Sequence, residues 1–214
     1  RLYVARGDRF DQPDFAATAA RTGWSWGCTS ADFDNDGDTD LYIANGHLSG
    51  SSAKDYCTKF WCHDLYTGNS LPNPVLSEFY QKELGTRLGR EFSWNGFEHN
   101  ALFLNQPGKG FENAAFLLGA AYEFDARAVV SDDLDADGRM DLAVVEYRTD
   151  NMSQRLHVLR NQYESSRHWI GIRLKAGPGS SQPDGAVVTA RSGDRVWIKP
   201  IVTGDSFTAQ HART

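Results

Sequence analysis

The sequence predicts an all-β fold, and three observations predict it. An acidic nine-residue loop occurs twice, each copy runs into a β-prone apolar segment, and strand–turn–strand units recur along the 214 residues. Composition agrees, since 20 glycines against 7 prolines suit many short strands joined by tight turns.

The first loop is Asp32-Phe-Asp-Asn-Asp-Gly-Asp-Thr-Asp40, with carboxylates at positions 1, 3, 5, 7 and 9: Asp32, Asp34, Asp36, Asp38 and Asp40. Side chains so close repel one another unless a hard cation neutralises them, and Gly37 supplies the tight turn that gathers them. Calcium fits an all-oxygen set better than magnesium, which demands a near-ideal octahedron, or than metals that favour Cys and His. The second loop carries Asp133, Asp135, Asp137 and Asp141, with Arg139 at position 7. If position 7 donates a backbone carbonyl, Arg139 weakens binding without abolishing it, so two calcium sites are expected. An EF-hand is excluded: position 12 is Ile43 or Val144 instead of Glu, and Leu41–Ala44 and Leu142–Val145 read as strands.

The flanking strands repeat as well. Leu2-Tyr-Val4, Leu102-Phe-Leu104 and Leu156-His-Val-Leu159 each read as an opening strand, the first two followed by a turn with glycine and then an aromatic. The second and third lie 54 residues apart, whereas the first and second lie 100 apart and the acidic loops 101, and the difference between 100 and 54 leaves an insertion of about 46 residues within residues 47–100. A unit of strand, turn, strand, acidic loop and strand is the signature of a propeller blade or a similar array. Arg6-Gly7-Asp8 matches a cell-adhesion tripeptide but falls in the same hairpin turn as Pro107–Gly110, which accounts for Gly7 by turn geometry.

A net charge of −6, without any Lys/Arg block, argues against nucleic acid as a partner. No apolar run approaches the roughly 20 residues that a membrane-spanning helix needs. Arg1–Val4 begins as if in mid-strand and Thr214 follows no stop signal, so the expectation is part of a longer polypeptide.

The loops at 32–40 and 133–141, with Trp26-Gly27 ahead of the first, resemble FG-GAP/VCBS-type calcium-binding repeats. The absent Gly-Ala-Pro element makes the VCBS variant the closer likeness. The segments Arg167–Leu174, Asp184–Thr189 and Gly204–Gln210 resemble the ASPIC/UnbV domain that follows such repeats in cartilage acidic protein-like chains. The resemblance implies partial propeller blades over 1–161, an incomplete, β-rich ASPIC/UnbV domain over 162–214, and an extracellular or periplasmic location. Within the latter, Trp169–Leu174 alternates with period two, as a half-buried strand does.

The insertion carries a helix near Val75–Leu84, with Asn73 or Ser77 as cap, and aromatics that could build a private core or line a binding surface. Cys57 and Cys62, followed by His63, admit a local disulfide, free thiols, another metal or a c-type haem, although haem attachment usually has two residues between its cysteines rather than four. Cys28 reads as a small buried hydrophobe, and His47 as a hydrogen-bonded structural residue. The six histidines show no zinc spacing, and no nucleophile elbow or phosphate loop occurs. The leading functional expectation is a non-enzymatic, calcium-stabilised module that recognises a protein or glycan. The alternatives are a haem-carrying electron-transfer protein and an enzyme whose active site lies in other blades.

Overall fold

The computed structural model describes residues 2–55, 65, 67–175, 177 and 183–211. It is all-β, with several small antiparallel sheets. The chain opens with a hairpin of β1 (Val4–Arg6) and β2 (Arg9–Asp11), whose two-residue turn sets Gly7 at φ 67°. The Arg6-Gly7-Asp8 motif therefore lies in a hairpin turn, as read from the sequence. A one-turn helix, α1 (Ala16–Ala19), leads to the first large sheet.

That sheet is an antiparallel meander of β3 (Ser25–Ala31), β4 (Asp40–Asn45), β5 (Ala101–Gln106) and β6 (Gly110–Asn113). The second is a meander of β7 (Ala126–Asp132), β8 (Asp141–Arg148) and β9 (Ser153–Leu159). The first hairpins of the two sheets superpose by register. Ala31 faces Asp40 and Asp132 faces Asp141, and the ladder slips between Ser25 and Cys28 as it does between Ala126 and Val129. Each acidic loop thus joins the first two strands of a meander.

The third strand corrects the sequence alignment. Leu41 pairs with Phe103 and Leu142 with Leu159, so β5 and β9 correspond at an offset of 56 residues rather than 54. The insertion between β4 and β5 is accordingly 45 residues. Because strand side chains alternate with period two, a slip of two residues leaves inward and outward faces unchanged and is invisible to hydrophobic pattern.

The core lies where the sheets meet, with Phe33, Tyr42, Leu102, Val129, Leu142 and Val144 buried together. Strands β3 and β7 run closely beside each other: Thr29 and Ser131 hydroxyls are 2.6 Å apart, and a Cβ on Gly27 would lie 2.8 Å from the Arg127 carbonyl oxygen. Only a residue without a side chain permits that approach.

Within the insertion, α2 (Pro74–Leu84) is capped by Asn73, whose side chain accepts from the N–H groups of Val75 and Leu76. Among the described aromatics there, Phe79 is exposed and lies edge-on to Tyr80, and Trp94 packs against Trp24 and His47. Cys28 is exposed on β3, contrary to the buried position expected, because its side chain faces away from the Gly27/Thr29 face that meets β7.

The C-terminal region contributes a hairpin of β10 (Val187–Ser192) and β11 (Arg195–Pro200). The strand expected over Trp169–Leu174 does not form. No described strand pairs with it, so its period-two pattern has no ladder to act on, and Trp169 lies against Gly138 instead.

Candidate metal centre

Each acidic loop is folded by its own first carboxylate. Asp32 accepts from the N–H groups of Asp36 and Gly37, both at 2.9 Å, and Asp133 accepts from Asp137 at 3.0 Å and Gly138 at 2.9 Å. The turn requires left-handed backbone at two positions: Asn35 (φ 56°) and Gly37 (φ 90°), matched by Ala136 (φ 60°) and Gly138 (φ 83°). Glycine at position 6 meets one of these at no steric cost.

The last carboxylate acts as a staple. Asp40 is fully buried, accepting from Phe33 N–H at 2.8 Å through one oxygen and from Asn105 N–H at 2.8 Å through the other. Asp141 does the same for Leu134 at 3.0 Å and Asn161 at 2.7 Å. Position 9 therefore ties the start of its loop to the end of the third strand. Sequence alone assigns neither asparagine a role, although Asn105, within β5, and Asn161, two residues beyond β9, stand at equivalent places.

In the first loop, carboxylate oxygens of Asp32, Asp34 and Asp40 lie within 4.8 Å of one another. Two oxygens bound to one calcium at about 2.3–2.6 Å each can be no more than about 5.2 Å apart, so the set has the span that such an ion requires. Asp36 and Asp38 stand beside it. One oxygen of Asp36 accepts the Asp38 N–H at 3.0 Å, and Asp38 Oδ1 is buried without a hydrogen-bond partner. Burial, with the neighbouring carboxylates adding to it, pushes Asp38 up to about 6. Burial also pushes Asp40 up to about 7 against the opposing N–H groups of Asn105 and Phe33, and raises Asp32 and Asp34. Crowded, part-buried carboxylates of this kind fit a hard cation.

The second loop gathers Asp133, Asp135 and Asp137, with Asp141 outside the group. Its charge is balanced differently. Arg139 pairs with Asp137, and its Nε donates to the Asn161 carbonyl at 2.9 Å. Arg160 Nε lies 2.5 Å from Asp135, and its Nη2 donates to Asp137 at 3.3 Å. Burial opposes the charged form of Asp137, but the Arg139 N–H and the two guanidinium groups outweigh it and hold that carboxyl below its ordinary value. The Arg139 side chain is thus tied at both ends.

The two loops touch. Asn35 Nδ2 donates to the Gly138 carbonyl at 3.2 Å, and Asn161 Nδ2 donates to the Phe33 carbonyl at 2.8 Å. The C-terminal region covers both: Trp197 Nε1 donates to the Gly37 carbonyl at 2.7 Å, while Trp169 lies over Gly138.

Away from the loops, His47 corrects a sequence expectation. Its ring stacks on Trp24 at 4.6 Å and meets Trp94 edge-on, leaving Nδ1 buried without a partner. Burial, and then Arg127, lowers its pKa, so the neutral imidazole is favoured. Cys57, Cys62 and His63 lie outside the described residues. No helix among the described residues is long and apolar enough to cross a membrane.

No protein family's profile matches the chain, and no curated protein or solved structure matches it.

Proposed function

We propose that this chain is a calcium-stabilised, non-enzymatic recognition module of an extracellular or periplasmic protein, built from FG-GAP/VCBS-like propeller blades and an ASPIC/UnbV-like C-terminal region. The observation that carries the reading is the convergence of Asp32, Asp34 and Asp40 oxygens within 4.8 Å at the hairpin joining β3 and β4. Calcium there replaces carboxylate repulsion with coordination and draws together the loop, the start of β4 and, through Asp40, the end of β5.

The metal is structural in this reading, since its ligands also accept backbone N–H groups, Asp32 and Asp34 within the loop and Asp40 at Phe33 and across to Asn105. Recognition of a protein or glycan is assigned to the blade loops and the aromatic-rich insertion, where Trp24 and Phe97 present rings to solvent. Support for the blade assignment comes from the antiparallel meanders packed through their first strands, β3 and β7.

Elemental analysis of protein from its native source tests the metal. Stoichiometric calcium without iron is expected. Absence of calcium from the native chain, with no stabilisation on adding it, would remove the reading, and stoichiometric iron would replace it with the haem reading at Cys57, Cys62 and His63.

A further inference from the structure

We infer that the second acidic loop carries its own counter-ions, Arg139 and Arg160, in place of a metal, so that calcium occupies the first loop alone. The two hairpins correspond residue for residue: Asp133 stands where Asp32 does, and Asp141 where Asp40 does. Two of the differences between them change the charge around the carboxylates. Position 7 is Asp38 in the first loop and Arg139 in the second, and the residue ahead of the third-strand asparagine is Leu104 in the first and Arg160 in the second.

Leu104 is buried in the core, whereas Arg160 reaches back to its loop, 2.5 Å from Asp135, and bonds Asp137 at 3.3 Å. Arg139 closes on Asp137 from the other side and is fixed by its bond to the Asn161 carbonyl. Two of the three carboxylates that converge in this loop are therefore engaged by guanidinium groups. Calcium entering here would have to displace both arginines and accept their like charge within a few ångströms. The first loop offers five carboxylates, and among the described residues the only arginine that reaches one of them is Arg167, 3.8 Å from Asp36; Arg195 and Arg167 bond the Asp36 and Asn35 backbone carbonyls instead, at 3.3 and 3.5 Å.

The inference rests on the calcium reading of the first loop, but the two can fail separately. The probe is calcium alone, titrated calorimetrically into the full chain after chelator treatment, with circular dichroism to check folding. The native chain is expected to take up one calcium and the Asp34→Ala chain none. Adding Arg139→Asp and Arg160→Leu to Asp34→Ala, which places at these two positions the residues of the first hairpin, should restore one site. A site that persists in Asp34→Ala, or no uptake in the triple variant while it remains folded, overturns the inference. If the triple variant misfolds, Arg160→Leu in the Asp34→Ala background serves instead. Any calcium uptake it gains over Asp34→Ala supports the inference, and none overturns it. Loss of the first-loop reading alone would appear as a native chain without calcium beside a triple variant that binds it.

Discussion

Asp40 holds Asn105 across the sheet: one oxygen of a fully buried carboxylate accepts the Asn105 backbone N–H at 2.8 Å while the other accepts Phe33 N–H. The same bond recurs between Asp141 and Asn161 at 2.7 Å. The closing aspartate of each loop is thus a backbone fastener.

Asp141→Ala should therefore destabilise the chain whether or not calcium is present, because it strands the N–H groups of Leu134 and Asn161. A loss of about 2–6 kcal/mol is the upper bound, from about 1–3 kcal/mol for each of the two donors left unpaired. Urea unfolding in chelator measures it. Asp141→Asn, which retains one acceptor oxygen, should lose less, and equal losses would show that the fastening is not what the carboxylate provides.

Asp34→Ala should lower the melting temperature only in the presence of calcium, since the hydrogen bond that Asp34 accepts, from Asp36 N–H, duplicates one accepted by Asp32. Arg139→Ala should lower it with or without calcium, through loss of its bonds to Asp137 and the Asn161 carbonyl. Scanning calorimetry of both variants with and without calcium separates the two patterns.

Gly27→Ala brings a methyl group to within 2.8 Å of the Arg127 carbonyl oxygen and within 3.2 Å of Val129 N. The two first strands must part to admit it, at a cost of about 1–3 kcal/mol, as for other overpacked cores. Gly68→Ala, which meets nothing within 4 Å of its new Cβ, lacks that clash and serves as the control, although its φ of 70° adds a smaller backbone cost.

Stabilisation by calcium should depend on pH. Burial first, and neighbouring carboxylates with it, raises Asp40 from 3.8 to about 7 and Asp38 to about 6. A carboxyl whose folded pKa lies above its unfolded value binds its proton more tightly in the folded chain. The stability it contributes is complete below about pH 4 and is lost as the pH rises through 6 and 7. Calcium must displace those protons, so it should raise the melting temperature more at pH 8 than at pH 5. Equal calcium-induced shifts at the two pH values would contradict the assignment of these groups to the site.

Much of this architecture was legible because it is written in local chemistry. The acidic loops, the Gly7 turn, the helix cap at Asn73 and the strands after each loop all follow from short-range rules that sequence carries directly. What escaped depends on distant partners. The alternation at Trp169–Leu174 promised a strand, but a strand exists only with a ladder beside it. The offset of β9 was misjudged by two residues because period-two patterning cannot detect an even slip. Arg160 could have been found by asking what precedes the asparagine shared by both third strands, whereas nothing local marks Trp197 as a donor to the Gly37 carbonyl.

The bond from Asn161 to the Phe33 carbonyl has a consequence for synthesis on the ribosome, because its ends are 128 residues apart. At about 5–20 residues per second, roughly 6–26 s pass after the first acidic loop is made before the residue that latches it emerges. Throughout that interval the crowded aspartates wait without their neighbour, and the 45-residue insertion lengthens the wait. In the calcium reading, a cation available where the nascent chain folds would hold the first hairpin closed until the second arrives, and the timing of metal supply would then be part of how the chain reaches its native state.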